Sequence, residues 1–285
     1  MNLTRQQIDM YMSIFMKTMP EQSYTMEYDP KSNRYEIHLK DGDDYSNCHR
    51  YRQHCDAFIE KSNSGNNIAC LMLRPMQQPK YTILFNHGST VDLGKICNFL
   101  YTLAKRLDCN IFTYDYSGYG QSTGQPSEKM AYADSETVWS LLLNKYRLQP
   151  QQILIYGQSI GTGPTLYLAS IHRHVKGVIL HSSFQSIAKL YIPWLKKCPD
   201  YDVFRNIEMI EKVESPVLFL HGSDDRNVPL SHVKILFEKC PNPVIPLWIE
   251  GGHHDDLYTF ESYVTRLKRF IDQDLEYETS GFIFW

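Results

Sequence analysis

A pentapeptide of the form G-x-S-x-G, Gly157-Gln158-Ser159-Ile160-Gly161, stands between the apolar run Ile153-Leu154-Ile155-Tyr156 and a helix-like run over residues 165–171. Strand, sharp turn and helix in that order is the context a nucleophile elbow needs, because the turn holds a serine oxygen out in a strained, exposed position. Small residues flank the serine because the turn brings the two backbones together, where a Cβ would collide with its neighbours. Ser159 is therefore a candidate nucleophile. The backbone N–H of Ile160, in the first turn of the helix, is aimed at a developing oxyanion. An ordinary glycine-containing loop can carry the same five letters, so the reading depends on partners elsewhere in the chain.

A serine alcohol is a weak nucleophile at neutral pH; it needs a base to take its proton and a third group to orient that base. The run Pro216-Val217-Leu218-Phe219-Leu220 reads as a buried parallel strand and ends in His221-Gly222-Ser223-Asp224-Asp225. Residues 244–249 read as a further strand opening onto Glu250-Gly251-Gly252-His253-His254-Asp255. A carboxylate and an imidazole thus each fall at the carboxyl end of a strand, where ligand sites of open α/β sheets gather. The chain order serine, acid, histidine is that of the α/β hydrolases. Acid and base each come as a doublet. Asp225 is preferred to Asp224 because it holds the fifth place of an H-G-x-x-D pattern. His254 is preferred to His253 because two glycines and a spacer let the loop fold its imidazole back toward the serine.

A second oxyanion donor is expected after the strand Tyr81-Thr82-Ile83-Leu84-Phe85, in the loop Asn86-His87-Gly88-Ser89. There the N–H of Ser89 is the candidate, and Gly88 allows close backbone approach. An ordinary strand-to-helix turn is the plainer reading of His-Gly in isolation. His87 and His221 are read as packing strand ends, whereas His49, His54, His172, His174 and His232 lie in polar surroundings and read as surface residues. Asp115, in Asp115-Tyr116-Ser117-Gly118-Tyr119-Gly120, reads as a structural loop carboxylate bonded to backbone at its strand end.

Together, Phe85-Asn86-His87-Gly88, Val91-Asp92-Leu93-Gly94, Cys109-Asn110-Ile111-Phe112, Tyr114-Asp115-Tyr116-Ser117-Gly118-Tyr119-Gly120 and Tyr156-Gly157-Gln158-Ser159-Ile160-Gly161-Thr162 closely resemble the α/β-hydrolase domain 17 family. Pro216-Val217-Leu218, Glu238-Lys239-Cys240-Pro241 and Pro246-Leu247-Trp248-Ile249-Glu250-Gly251 extend the resemblance, which covers roughly residues 24–271. It implies an α/β-hydrolase fold and a serine hydrolase that removes palmitate from cysteine thioesters on membrane-associated proteins. Carried over by position, Ser159 is the nucleophile, Asp225 the acid and His254 the base. Two departures stand out. Members of the family usually begin with a palmitoylated cysteine-rich segment that holds them on membranes, whereas no cysteine here precedes Cys48. Ser89-Thr90 also stands where members tend to carry Asn and Ala, a change that a backbone donor tolerates.

Composition narrows the alternatives. A formal net charge of −3, from 29 basic and 32 acidic residues, offers no broad attraction to nucleic acid. Seven cysteines without C-x-x-C pairs argue against a disulfide framework and a structural zinc site. With no signal-peptide pattern, the cytosol is the expected compartment. No apolar run is long enough to span a bilayer, so contact with the cytosolic face of plasma or endosomal membranes would be peripheral. Thr4-Arg5-Gln6-Gln7 has the form of a capping box, and Ile8, Met12, Phe15, Met16 and Met19 follow at helical spacing. This predicts an amphipathic helix within residues 1–22, for packing on its own domain or for a lipid interface.

A single α/β domain is expected over residues 23–275, with a tail from 276. It has antiparallel strands at 34–39 and 68–73, a strand through Phe58 and Ile59, and then strands alternating with helices, the pattern of a mainly parallel sheet covered on both faces. A short insertion, residues 182–214, is rich in apolar and aromatic residues. Phe184, Tyr191 and Trp194 are its candidate acyl-binding residues, though the same side chains would serve equally as packing. The expected chemistry is two-step acyl transfer to Ser159, needing neither metal nor organic cofactor. The expected partners are S-palmitoylated proteins. A carboxylesterase or lysophospholipase is the alternative within the reaction class, and a non-catalytic hydrolase-like scaffold is the alternative outside it.

Overall fold

The structure is a computed structural model of the 285-residue chain and describes residues 19–40, 54–200 and 202–277. The predicted N-terminal helix lies outside them up to Thr18, as do His49 and the tail from residue 278. The chain divides into two compact units, one ending at Gln149 and one beginning at Pro150.

In the first unit, β1 (Tyr24–Asp29), β2 (Arg34–Leu39), β3 (Cys55–Lys61), β4 (Asn67–Leu73), β5 (Thr82–Asn86) and β6 (Asn110–Tyr114) form a sheet in the order β1-β2-β3-β4-β6-β5. The pairs from β1 to β4 are antiparallel, as is β4 with β6, and β5 runs parallel to β6. Every residue of β5 and β6 is buried, which is why Ile83-Leu84-Phe85 and Ile111-Phe112 are uninterrupted apolar stretches rather than alternating ones. The sequence reading missed β1, whose burial is confined to Tyr24 and Met26. Helix α1 (Leu93–Arg106) starts at Asp92, whose carboxylate accepts the Lys95 N–H at 3.1 Å, a standard N-cap. Ser127 does the same for Met130 at the start of α2 (Glu128–Asn144).

Asp115, just past β6, is buried and accepts hydrogen bonds from the Leu93 N–H at 3.0 Å and the Tyr24 hydroxyl at 2.5 Å. His87 Nε2 lies 3.4 Å from it. Burial lifts the Asp115 carboxyl above the ordinary range, with the hydrogen bonds and charge of His87 and the Tyr24 hydroxyl pulling the other way. The carboxylate fastens β1, β5 and β6 to the start of α1, the structural role its sequence context suggested.

In the second unit, β7 (Ile153–Gln158), β8 (Gly177–His181), β9 (Val217–Gly222) and β10 (Leu247–Ile249) are parallel throughout and lie in that order. Gln158 pairs with His181 and His181 with Leu220, so β7 and β8 end level with each other, and β9 and β10, paired to Gly222 and Ile249, end two residues beyond. Leu154, Ile179, Leu180, Leu218 and Phe219 are fully buried in this sheet, and each stabilises the fold by about 1.5–3 kcal/mol relative to exposure. The strand expected over residues 244–249 is only three residues long. Pro243 and Pro246 have no N–H to give to a ladder, although the Val244 N–H still reaches the Val217 carbonyl at 3.0 Å.

Helix α3 (Thr162–Ile171) follows β7, and the insertion after β8 contains α4 (Ile187–Tyr191) and α5 (Asn206–Met209). The insertion is anchored from within. Asn206 donates to the Phe184 carbonyl at 2.9 Å and to Thr162 Oγ1 at 3.1 Å, while Asp202 accepts from the Ala188 N–H at 2.8 Å. Phe184 is wholly buried, so it packs the unit rather than walling an open acyl groove. Tyr191 and Trp194 turn outward instead, at 39% and 76% exposure.

Candidate active site

Ser159 begins a single 3₁₀ turn, Ser159–Gly161, that joins β7 to α3, and its φ is +52°. A left-handed backbone at a residue with a Cβ costs about 1–2 kcal/mol. Its neighbours hold it there, since Thr162 Oγ1 donates to the Ser159 carbonyl at 2.6 Å. Gly157 is required by close approach: a Cβ at that position would stand 2.5 Å from the Gly161 carbonyl oxygen and 2.7 Å from Thr162 Cα. Ile160 follows the serine directly in this turn and is buried.

The doublets separate cleanly. His254 Nε2 lies 2.9 Å from Ser159 Oγ, and His254 Nδ1 lies 2.7 Å from Asp225 Oδ2. His253 turns away, its Nδ1 3.0 Å from the Asp224 carbonyl oxygen, and Asp224 Oδ1 takes the hydroxyl of its own neighbour Ser223 at 2.7 Å. The loops after β9 and β10 are laced together by backbone bonds from Ser223 to Ile249 at 2.8 Å and from Asp224 to Gly252 at 2.9 Å. Only a glycine allows that approach at Gly222, where an added Cβ would come within 2.1 Å of the Gly252 carbonyl oxygen.

Asp225 is held on every side. Its Oδ1 accepts the N–H groups of Asn227 and Val228 at 2.9 and 2.8 Å, leaving Oδ2 for His254. Burial by itself would raise this carboxyl; the hydrogen bond and charge of His254, the Val228 N–H and His221 outweigh it, and the net displacement is downward. A carboxylate has only lone pairs to offer, so His254 Nδ1 carries the proton and Nε2 presents its lone pair to the serine hydroxyl. Beside the imidazole a cavity of about 260 Å³ is lined by Arg226, Asn227, His253, His254, Asp255 and Asp256.

A layer of buried imidazoles backs the site: His221, expected to pack its strand end, is joined by His181 and His232, which the sequence did not place there. His221 Nε2 donates to the Val228 carbonyl at 2.8 Å and lies 3.4 Å from Asp225 Oδ2. His181 Nδ1 meets the Tyr156 hydroxyl at 2.8 Å, and that hydroxyl meets Tyr263 at 2.7 Å. His232, read from its polar neighbours as a surface residue, is buried in α6 (Leu230–Lys239). It stands on the same face as Leu236, four residues on, and its Nδ1 accepts the Gln185 N–H at 3.4 Å. Burial pushes His181 down to about 3, aided by the charges of His254 and His221, and pushes His232 down to about 4.

These two imidazoles stay neutral in the folded protein at pH values where the unfolded chain protonates them. The unfolded state therefore holds more protons below about pH 6.5, and stability falls as pH falls, by up to about 1.4 kcal/mol per pH unit for each histidine. The urea midpoint is expected to decline between about pH 6.5 and 5, above the carboxylate range, and His232→Gln to flatten part of that decline. An unchanged slope in the variant contradicts this account.

A strained serine between a parallel strand and a helix, with a histidine that bridges it to a buried carboxylate, is the arrangement of a hydrolase of the α/β class, and the profile of the alpha/beta hydrolase fold matches residues 81–201. Among solved structures of that fold, the esterase Pf2001 of Pyrococcus furiosus superposes with a TM-score of 0.64 at 15% identity, over 77% of this chain and 92% of its own. Acetyl xylan esterase 1 from a Thermoanaerobacterium species does so with a TM-score of 0.61 at 14% identity, over 96% of each chain. More specifically, the chain belongs to the α/β-hydrolase domain 17 family. It is 43% identical to alpha/beta hydrolase domain-containing protein 17B of Homo sapiens over 256 residues, 90% of this chain and 88% of the relative. It is 42% identical to protein 17C of Mus musculus over 239 residues, 84% of this chain and 74% of the relative.

Proposed function

We propose that the chain is a serine hydrolase that cleaves the thioester of S-palmitoylated cysteines on membrane-associated proteins, working at the cytosolic face of a membrane. The observation that carries the chemistry is the pair of contacts at His254, 2.9 Å to Ser159 and 2.7 Å to Asp225. The thioester class rests on membership of the domain 17 family and the resemblance in its motifs. In this reading His254 takes the hydroxyl proton as Ser159 Oγ attacks the carbonyl carbon, and Asp225 stabilises the imidazolium. The N–H of Ile160, next along the chain from the nucleophile, receives the oxyanion. The C–S bond then breaks, the proton on Nε2 passes to the leaving sulfur, and water attacks the acyl-enzyme to release palmitate.

The test compares a palmitoyl-cysteine peptide with a monoacyl phospholipid, each with wild-type protein and with Ser159→Ala. Release of palmitate from the peptide, lost in the variant, is the expected result. Brisk cleavage of the phospholipid with no thioesterase activity would replace the proposal with a lysophospholipase. No turnover of either, together with no covalent labelling by a fluorophosphonate, would leave a binding scaffold.

A further inference from the structure

Trp194 is the most exposed large apolar residue among the described residues, and its setting is built rather than incidental. The Leu195 N–H donates to the Ile192 carbonyl at 3.0 Å, closing a β-turn in which Pro193 and Trp194 are the two central residues. Proline is favoured at the first of those positions because its fixed φ matches the turn. Ile192 is buried beneath the turn, and Lys189 Nζ donates to the Leu195 carbonyl at 3.2 Å, so the tip is held outward from both sides. A single exposed apolar residue on a surface is ordinary; a tryptophan on a braced turn tip calls for an occupant.

Charge says which. The nine residues from Lys189 to Lys197 include three lysines and no acid, in a chain whose net charge is −3. Lys196 and Lys197 are both exposed directly beside the tip. Tryptophan prefers the level of lipid headgroups, where its apolar body and polar N–H are both accommodated. Paired lysines are attracted to the anionic lipids at that level, each strengthening binding by about fivefold. Topology supplies the direction. The turn follows α4 out of the carboxyl end of β8, which is parallel to β7 and in register with it, and Ser159 leaves the carboxyl end of β7.

We propose that the turn carrying Trp194, with Lys196 and Lys197, docks the protein on an anionic membrane surface, with the sheet edge that bears Ser159 on the membrane side. Trp194 inserts at headgroup depth and the lysines meet acidic headgroups. This deepens the depalmitoylation reading and rests on it for its purpose, since the thioester of a lipidated protein lies at that surface. The docking itself needs no chemistry, so the two can fail separately.

The experiment uses the full chain carrying Ser159→Ala, sedimented with phosphatidylcholine vesicles with and without phosphatidylserine. Binding is expected with the anionic vesicles. Trp194→Ala is expected to lower the partition coefficient about tenfold, and the double variant Lys196→Glu, Lys197→Glu to abolish the preference for phosphatidylserine. All three positions are exposed, so melting temperatures should coincide with that of the parent. Equal partitioning by parent and Trp194→Ala protein overturns the proposal, as does a parent indifferent to phosphatidylserine. A second arm restores Ser159 and measures hydrolysis of a soluble short-chain ester and a soluble acyl-peptide. Unchanged kinetics in the double variant Lys196→Glu, Lys197→Glu support docking. A raised KM for the acyl-peptide in Trp194→Ala with vesicle binding intact assigns Trp194 to the acyl chain and sinks the membrane role.

Discussion

Ser159→Ala is expected to lower kcat by about 10⁴- to 10⁶-fold, leaving only what the oxyanion donors and substrate binding contribute. The side chain lost is the one 2.9 Å from His254 Nε2, and fluorophosphonate labelling should vanish with it. Stability should behave differently from activity. The backbone at position 159 is left-handed, with φ at +52°, and alanine inherits that strain whereas glycine does not. Ser159→Gly is therefore expected to be as inactive as Ser159→Ala and to melt no lower. Glycine ordinarily costs about 0.5–1 kcal/mol in backbone entropy, but here it relieves a comparable strain. Thermal melts of the two variants, read beside turnover of the acyl-peptide, check both halves. Residual turnover above a few per cent in either variant would remove Ser159 from the role of nucleophile.

Asp225→Asn is expected to cost about 10⁴-fold in kcat through the wrong histidine tautomer. An asparagine in this place has two orientations. With its NH₂ at the Oδ1 position it would face two donors, the N–H groups of Asn227 and Val228, now at 2.9 and 2.8 Å. With its NH₂ at the Oδ2 position it faces two ring nitrogens, His254 Nδ1 at 2.7 Å and His221 Nε2 at 3.4 Å. The second orientation is the lesser conflict, because the His254 ring can shift its proton to its other nitrogen whereas backbone N–H groups cannot. It aims an N–H at His254 Nδ1, which must then accept, so the ring proton moves to Nε2 and the serine loses its base. The predicted signature is a collapse of kcat with little change in KM and a melting curve close to that of the wild type. A loss of kcat below about tenfold would show that Asp225 does not set the tautomer.

Most of the architecture around these residues was legible beforehand, because buried parallel strands announce themselves as short apolar runs ending in glycine, histidine or aspartate. The runs Ile153-Leu154-Ile155-Tyr156 and Val217-Leu218-Phe219-Leu220 lie within β7 and β9. Less legible was anything whose burial came from a remote segment. β1 carries only two buried side chains, Tyr24 and Met26, too few to stand out as a strand, and Tyr24 is buried partly by its bond to Asp115, 91 residues away. His232 has Ser231 before it and Lys234 close behind, and only the packing of α6 shows that it faces inward. Phe184 and Trp194 looked equivalent as aromatic members of one insertion, yet one is fully buried and the other 76% exposed.

By itself the sequence determined the local geometry of the elbow, the family and the chain order of the three candidate catalytic side chains, because these depend on neighbours along the backbone and on motif spacing. Which histidine of its doublet meets Ser159, and which aspartate meets that histidine, was decided only in three dimensions. Adjacent residues in a loop point in different directions, and the laced loops after β9 and β10 aim His254 inward while His253 bonds to the Asp224 carbonyl. The burial of His181 and His232 was likewise settled by tertiary packing, since desolvation depends on what covers a side chain and not on the letters beside it.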